Sequence, residues 1–164
     1  DAADSDSFVP IALGELTDQR TPAFMLQLAS LLEASVDLAV SEGVLSTAGL
    51  RPASGWKGFG RYVGVVSVSP WFGVRFDLWK THGITPLWLL TGKEMLARCP
   101  EIRPSLESWA AKNGGFVTTF ENDGLAIAVD IAAGEDKDRV VRGIVDQLKA
   151  NQHIYKINQF QKPG

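Results

Sequence analysis

The sequence has little of what metal centres and disulfide-built folds require. Its 164 residues include one cysteine, Cys99, and two histidines, His82 and His153. A lone cysteine excludes an internal disulfide framework, and so few soft ligands cannot make a zinc cage of the usual kind. No unbroken apolar run reaches the roughly 20 residues that span a bilayer, so no membrane partner is expected. No Gly-Xaa-Ser-Xaa-Gly elbow surrounds a serine. The glycine cluster Gly55-Trp56-Lys57-Gly58-Phe59-Gly60-Arg61 lacks the Lys-Ser/Thr that closes a P-loop. It also fails the dinucleotide fingerprint in spacing and in the order of strand and helix. These absences leave no cofactor to expect.

What is present describes an ordinary folded chain. Hydrophobic residues make up 45% and aromatics 9% of the sequence, enough for one core at this length. A polar, acidic arm over residues 1–10 precedes a single domain over 11–153, with a tail over 154–164 that reads as a last short strand. The chain opens Asp1-Ala2-Ala3-Asp4 without methionine, as a processed product or an excised domain would. A cytoplasmic location is the expectation.

Hydrophobic spacing supplies the elements. Phe24, Leu28, Leu31, Leu32 and Ala39 recur at helical period between Thr21-Pro22 and Gly43, which predicts an amphipathic helix over 22–42. Residues 43–60, with five glycines, read as a long loop. The β-branched run Tyr62–Ser69 and the alternating run Phe72–Trp79 predict two paired strands. Ile84–Thr91 predicts a third, with Pro86 near its start. Short helices follow near 93–98 and 104–112. Asp123-Gly124 between 116–120 and 125–131 is the strongest hairpin signal in the chain. Val140, Val141, Ile144, Val145 and Leu148 line one face of a helix over about 135–150. The order predicts an α+β fold: a mostly antiparallel sheet of about five strands, with amphipathic helices packed on one face.

Charge is unevenly spread. Residues 1–50 carry a net −7, residues 51–82 a net +4, and residues 83–164 a net charge of zero. The basic stretch also holds seven of the fifteen aromatic residues. Cations interleaved with rings suit a single-stranded nucleic acid, through Arg51, Lys57, Arg61, Arg75 and Lys80. Buried rings also dominate ordinary cores, and Phe72 and Phe76 fall on the core face of their alternating run. Five tryptophans support a second use, because Trp, Tyr and Arg dominate interface hot spots.

Catalytic signals are thin. His82, before Gly83, sits in a predicted loop and is a weak candidate for a general base, since spacing supplies neither an orienting acid nor a nucleophile. Cys99 reads as a small hydrophobe. Asp123, Asp130, Glu135 and Lys137 contain a Glu-Xaa-Lys pattern downstream of an acid, as in metal-dependent nucleases. Glu135 and Lys137 instead fall at a helix start, where they diverge and cap. No metal ligand set is assigned.

The run Gly60-Arg61-Tyr62, then Trp71 through Gly83, then Thr85-Pro86-Leu87-Trp88-Leu89 resembles C-terminal regions of uncharacterised bacterial proteins. Some of those carry a preceding part similar to the PD-(D/E)XK restriction-endonuclease superfamily. The resemblance covers about residues 20–150 and implies a setting in defence or DNA transactions. The present chain lacks the PD-(D/E)XK site itself. The sequence thus points to a non-catalytic accessory module that docks on a protein partner or on another domain of a longer chain. The docking residues expected are Trp56, Trp71, Arg75, Trp79 and Trp88. The alternative is a nucleic-acid-binding or nuclease-associated domain using segment 51–82.

Overall fold

The computed structural model describes residues 21–161, with side chains through Lys156. The arm expected over 1–10 lies outside them. Helix α1 (Thr21–Ser41) follows the apolar spacing, burying Phe24, Leu28, Leu31, Leu32, Val36 and Ala39. Gly43, at φ 74°, occupies the left-handed conformation that ends a helix at little cost only for glycine. By length and composition α1 is the one described helix apolar enough to cross a membrane, although charged and polar residues interrupt it. In this fold its apolar stripe faces the core.

Strands β1 (Pro52–Gly55), β2 (Gly58–Tyr62), β3 (Trp71–Arg75), β4 (Leu87–Thr91), β5 (Val117–Phe120) and β6 (Gly124–Ala128) form one six-stranded sheet. The order is β1-β2-β3-β4-β6-β5, and every neighbouring pair is antiparallel. Helix α2 (Phe76–His82) links β3 to β4, while α3 (Lys93–Arg98) and α4 (Ile102–Asn113) lie between β4 and β5. Helix α5 (Lys137–Gln161) follows β6. The α+β class and antiparallel sheet are as expected, with one strand more than five.

Register sorts side chains by face, because successive residues of a strand point to opposite sides. Phe72, Leu89 and Ile127 align across β3, β4 and β6; Val74 with Leu87, and Thr91 with Leu125, share their side. That face meets the helices in one continuous core, which includes Phe24, Leu28, Leu96, Leu106, Ile144 and Leu148. Burying a side chain such as Leu89 contributes about 2 kcal/mol. One hydroxyl pair is enclosed there: Thr91 Oγ1 and Tyr155 OH lie 2.5 Å apart. Burial pushes the Tyr155 phenol up to about 12, although the Thr91 hydrogen bond works the other way. Three contacts clasp α5 to α1 and the turn after it: Lys137 Nζ to Ser30 Oγ, Arg142 to Glu42, and Gln152 to the Gly43 carbonyl.

The opposite face is covered over β4 and β6, where Trp88, Leu90, Ala126 and Ala128 are buried, and less so over β1–β3, where Tyr62 is exposed. Trp71, Leu90 and Ala126 form one row, and Gly73, Trp88 and Ala128 the next. Among the described residues α2 packs here through Leu78, in a small cluster with Trp88, Leu90, Ala126 and Ala128 against which Trp71, Phe116 and Phe120 also rest.

Four expectations need correction. The loop over 43–60 contains β1 and the start of β2, which makes Trp56-Lys57 a two-residue hairpin loop between the paired Gly55 and Gly58. The predicted strand Tyr62–Ser69 keeps only Tyr62 in a ladder, as the end of β2; the rest is a tight excursion in which Val63, Val65 and Val68 are buried and the described ladder contacts are isolated bridges. Burial explains its β-like composition, and a strand also needs a partner, which composition cannot reveal. The strand expected over 72–79 ends at Arg75. Asp77 in the first turn, Lys80 and His82 in the last, and Gly83 at φ 68° mark the following segment as helix α2. The tail strand is helix as well, since Asn151 and Tyr155 continue the buried face of α5 beyond Leu148. The boundary expected at residue 153 therefore falls inside α5.

Candidate functional site

The half of the open face formed by β1, β2 and β3 is built around glycines. An added Cβ on Gly60 would lie 2.4 Å from the Phe72 carbonyl and 2.8 Å from the Trp71 ring. One on Gly73 would lie 2.4 Å from the Phe59 carbonyl and 2.8 Å from the same ring. Because both positions lack a side chain, the Trp71 indole can lie down on the sheet. Close backbone approach, rather than a long loop, is what Gly58 and Gly60 serve.

Around this trough the face opens into a hollow of about 320 Å³, lined by Trp56, Tyr62, Trp71 and Phe120 among rings and by Lys57, Arg75 and Glu121 among charges. Trp56, at the hairpin tip, is 86% exposed, and Tyr62 is 41% exposed. Arg75 closes the bottom at 8% exposure. Its Nε and Nη2 donate to the two Asp77 oxygens at 2.8 and 2.7 Å. Its guanidinium stands 6.0 Å from the Trp71 ring and 5.7 Å from that of Phe120, within the range of cation–π attraction. Lys57 Nζ donates to Glu121 Oε1 at 3.1 Å and lies 5.3 Å from the Trp56 ring.

Electrostatics follow from these contacts. Burial disfavours the charge on Arg75, but the Asp77 hydrogen bond and the charges of Asp77 and Glu121 outweigh it, leaving its pKa above the usual value. Burial likewise raises the Asp77 carboxyl, and the Arg75 hydrogen bond and charge more than offset this, so it titrates below its ordinary range. Both groups remain charged at neutral pH.

The expected docking residues separate. Trp56, Trp71 and Arg75 converge on the hollow. Trp79 and Trp88 do not: they are 8% and 0% exposed. Trp79 packs on Phe24 in the main core, and Trp88 Nε1 donates to the Thr85 carbonyl at 2.8 Å. Both leave the expected surface, because an enclosed indole cannot meet a partner. The basic residues are also divided. Lys57 and Arg75 reach the open face; Arg61 lies on the helix side and donates to the Leu50 carbonyl. Arg51 and Lys80 are exposed elsewhere. Arg61 instead joins Phe59, Leu32, Val36, Glu33 and Asp37 in a second hollow of about 390 Å³ between α1 and the β1–β2 hairpin.

His82 ends α2 with its ring 5.1 Å from Phe116 and 5.8 Å from Trp88. It therefore packs against rings, and none of its described contacts is with an acid. Among the described residues, no three His, Cys, Asp or Glu side chains are placed to hold a metal ion.

Tyr62, Phe120 and Glu121 complete the hollow without having been expected there. Register would have exposed the first, since Tyr62 pairs directly with Trp71. Phe120 and Glu121 enter through the β5–β6 turn, whose position no local pattern specifies. No protein-family model, curated protein or solved structure matches the chain, so the site stands on its own geometry.

Proposed function

We propose that this chain is a non-catalytic interaction module that docks a protein partner, or another domain of a longer chain, on the uncovered half of its sheet. One observation carries this: an 86% exposed tryptophan at a hairpin tip stands beside Tyr62, Trp71 and Phe120 over a largely buried arginine. Rings around a desolvated guanidinium have the composition of an interface hot spot. A helix would otherwise be expected to cover such a face.

A nucleic-acid role is the second reading, favoured by rings displayed on an open antiparallel sheet, the form used to stack unpaired bases. The charges favour protein. Arg75 is paired to Asp77 and Lys57 to Glu121, whereas a strand of phosphates needs a track of free cations. A setting in defence or DNA transactions belongs to this proposal through the sequence resemblance alone, and no catalytic step is assigned.

The test is selection of displayed random peptides on the native chain and on a Trp56→Ala/Tyr62→Ala variant. Enrichment on the native chain alone supports docking at this face. Equal enrichment on both, or none, overturns it. Fluorescence anisotropy of an oligothymidine at low salt decides the second reading: tight, salt-sensitive binding would favour it over the first.

A further inference from the structure

The hollow differs from an ordinary apolar patch because a guanidinium forms its base. Asp77 occupies Nε and Nη2 of Arg75, and Glu121 Oε1 reaches Nη2 at a long 3.4 Å. Among the described residues nothing accepts from Nη1, which is not a buried orphan but keeps solvent access in the hollow that Arg75 lines. Lys57 stands at the rim and holds the same oxygen, Glu121 Oε1, at 3.1 Å. Two cations thus share one carboxylate oxygen. That carboxylate is half exposed, and it hangs from a turn in which Glu121 (φ 48°) and Asp123 (φ 64°) both adopt a conformation unusual for side-chain-bearing residues.

We propose that the hollow recognises an acidic side chain on an extended segment of a partner protein. Its carboxylate replaces Glu121 between Lys57 and Arg75, while apolar neighbours rest on Trp56, Tyr62 and Trp71. Glu121 is then an internal competitor that fills the site until the partner arrives. The inference rests on the docking role proposed for this face and adds the chemistry of the occupant. Charge complementarity selects that chemistry: with Glu121 displaced, the hollow presents two cations, and Asp77 approaches Arg75 through the guanidinium edge away from Nη1. A single carboxylate flanked by apolar groups matches two cations among rings. A run of phosphates does not, because Arg61 lies on the other face.

Peptides enriched in the selection should share one Asp or Glu at a fixed position between apolar residues. A synthetic peptide of the commonest enriched sequence, titrated by anisotropy, should lose about tenfold in affinity when that acid becomes the matching amide. Lys57→Gln should weaken binding about fivefold. Glu121→Gln should strengthen it about threefold, because a competing exposed ion pair is removed. Both variants alter exposed side chains, so thermal unfolding should remain close to native in each. Enriched peptides that bind through Trp56 but share no acid, or carry Lys or Arg there, would overturn the carboxylate assignment and leave docking intact. A Glu121→Gln variant that binds the acidic peptide more weakly than the native chain would overturn the competitor role. Absence of any Trp56-dependent enrichment would remove docking itself.

Discussion

The two faces of the sheet treat large side chains in opposite ways. On the helix side, Phe72, Leu89 and Ile127 disappear into a core shared with α1 and α5. On the other, the β1–β3 region keeps Trp71 half-buried and sets Trp56 and Tyr62 into solvent. Both faces are rich in apolar groups, so composition does not separate them. Cover does. The first face has helices whose apolar stripes match it; among the described residues, the second has one short helix at the end of β3, which packs with Trp88 and leaves the β1–β3 half open. Exposed rings there add nothing to folding through burial, which makes contact with another surface their natural use.

The contrast can be broken most forcefully on the covered side. Leu89→Ala should cost about 3 kcal/mol in urea unfolding, since a fully buried leucine leaves a cavity that helix-packed neighbours cannot refill. A loss below about 1 kcal/mol would mean that this face is loosely packed.

The floor of the open face should respond less. Arg75→Ala removes the partner of Asp77 in a partly solvated pair, and a loss of about 2 kcal/mol is expected. The depressed Asp77 carboxyl gives this pair a pH signature. Its contribution is present above the ordinary carboxylate pKa and fades as pH falls through the lower folded value. The native chain should therefore lose more stability on acidification than Arg75→Ala does.

Tyr155→Phe should cost about 1 kcal/mol by leaving the Thr91 hydroxyl without its partner. Here the sign reverses. The folded phenol, pushed up to about 12, keeps its proton while an unfolded tyrosine ionises near pH 10. The folded state then binds more protons, so native stability should fall as pH rises from about 10 to 12 by more than that of Tyr155→Phe. Parallel curves would contradict burial of the phenol.

Smallest of all, Trp56→Ala should change unfolding stability by less than about 0.5 kcal/mol, as expected where a side chain touches little, while abolishing partner binding. Loss of both together would place Trp56 in the structure of the fold rather than on its surface.

Much of the covered face was legible beforehand, because its signals are local. The period of Phe24, Leu28 and Leu31 gives α1, and Asp123-Gly124 gives the β5–β6 hairpin. The segment 72–79 misled because Phe72, Val74, Phe76 and Leu78 alternate whether or not the chain stays extended. Capping signals at Asp77, His82 and Gly83 decide for a helix from Phe76 onward. The open face was harder to see. Its basic and aromatic stretch was apparent, but which of Trp56, Trp71, Trp79 and Trp88 reaches solvent depends on register and on where α2 lies. Glu121, 64 residues from Lys57, joins the site only through the sheet order.

The most direct test of this two-faced arrangement is hydrogen exchange of the five indole Nε1 protons, followed residue by residue by NMR. The account predicts that Trp88, bonded to the Thr85 carbonyl, exchanges slowest with Trp79 also protected, and that Trp56 exchanges at once. A protected Trp56, or a Trp88 that exchanges as freely as it does, would contradict it.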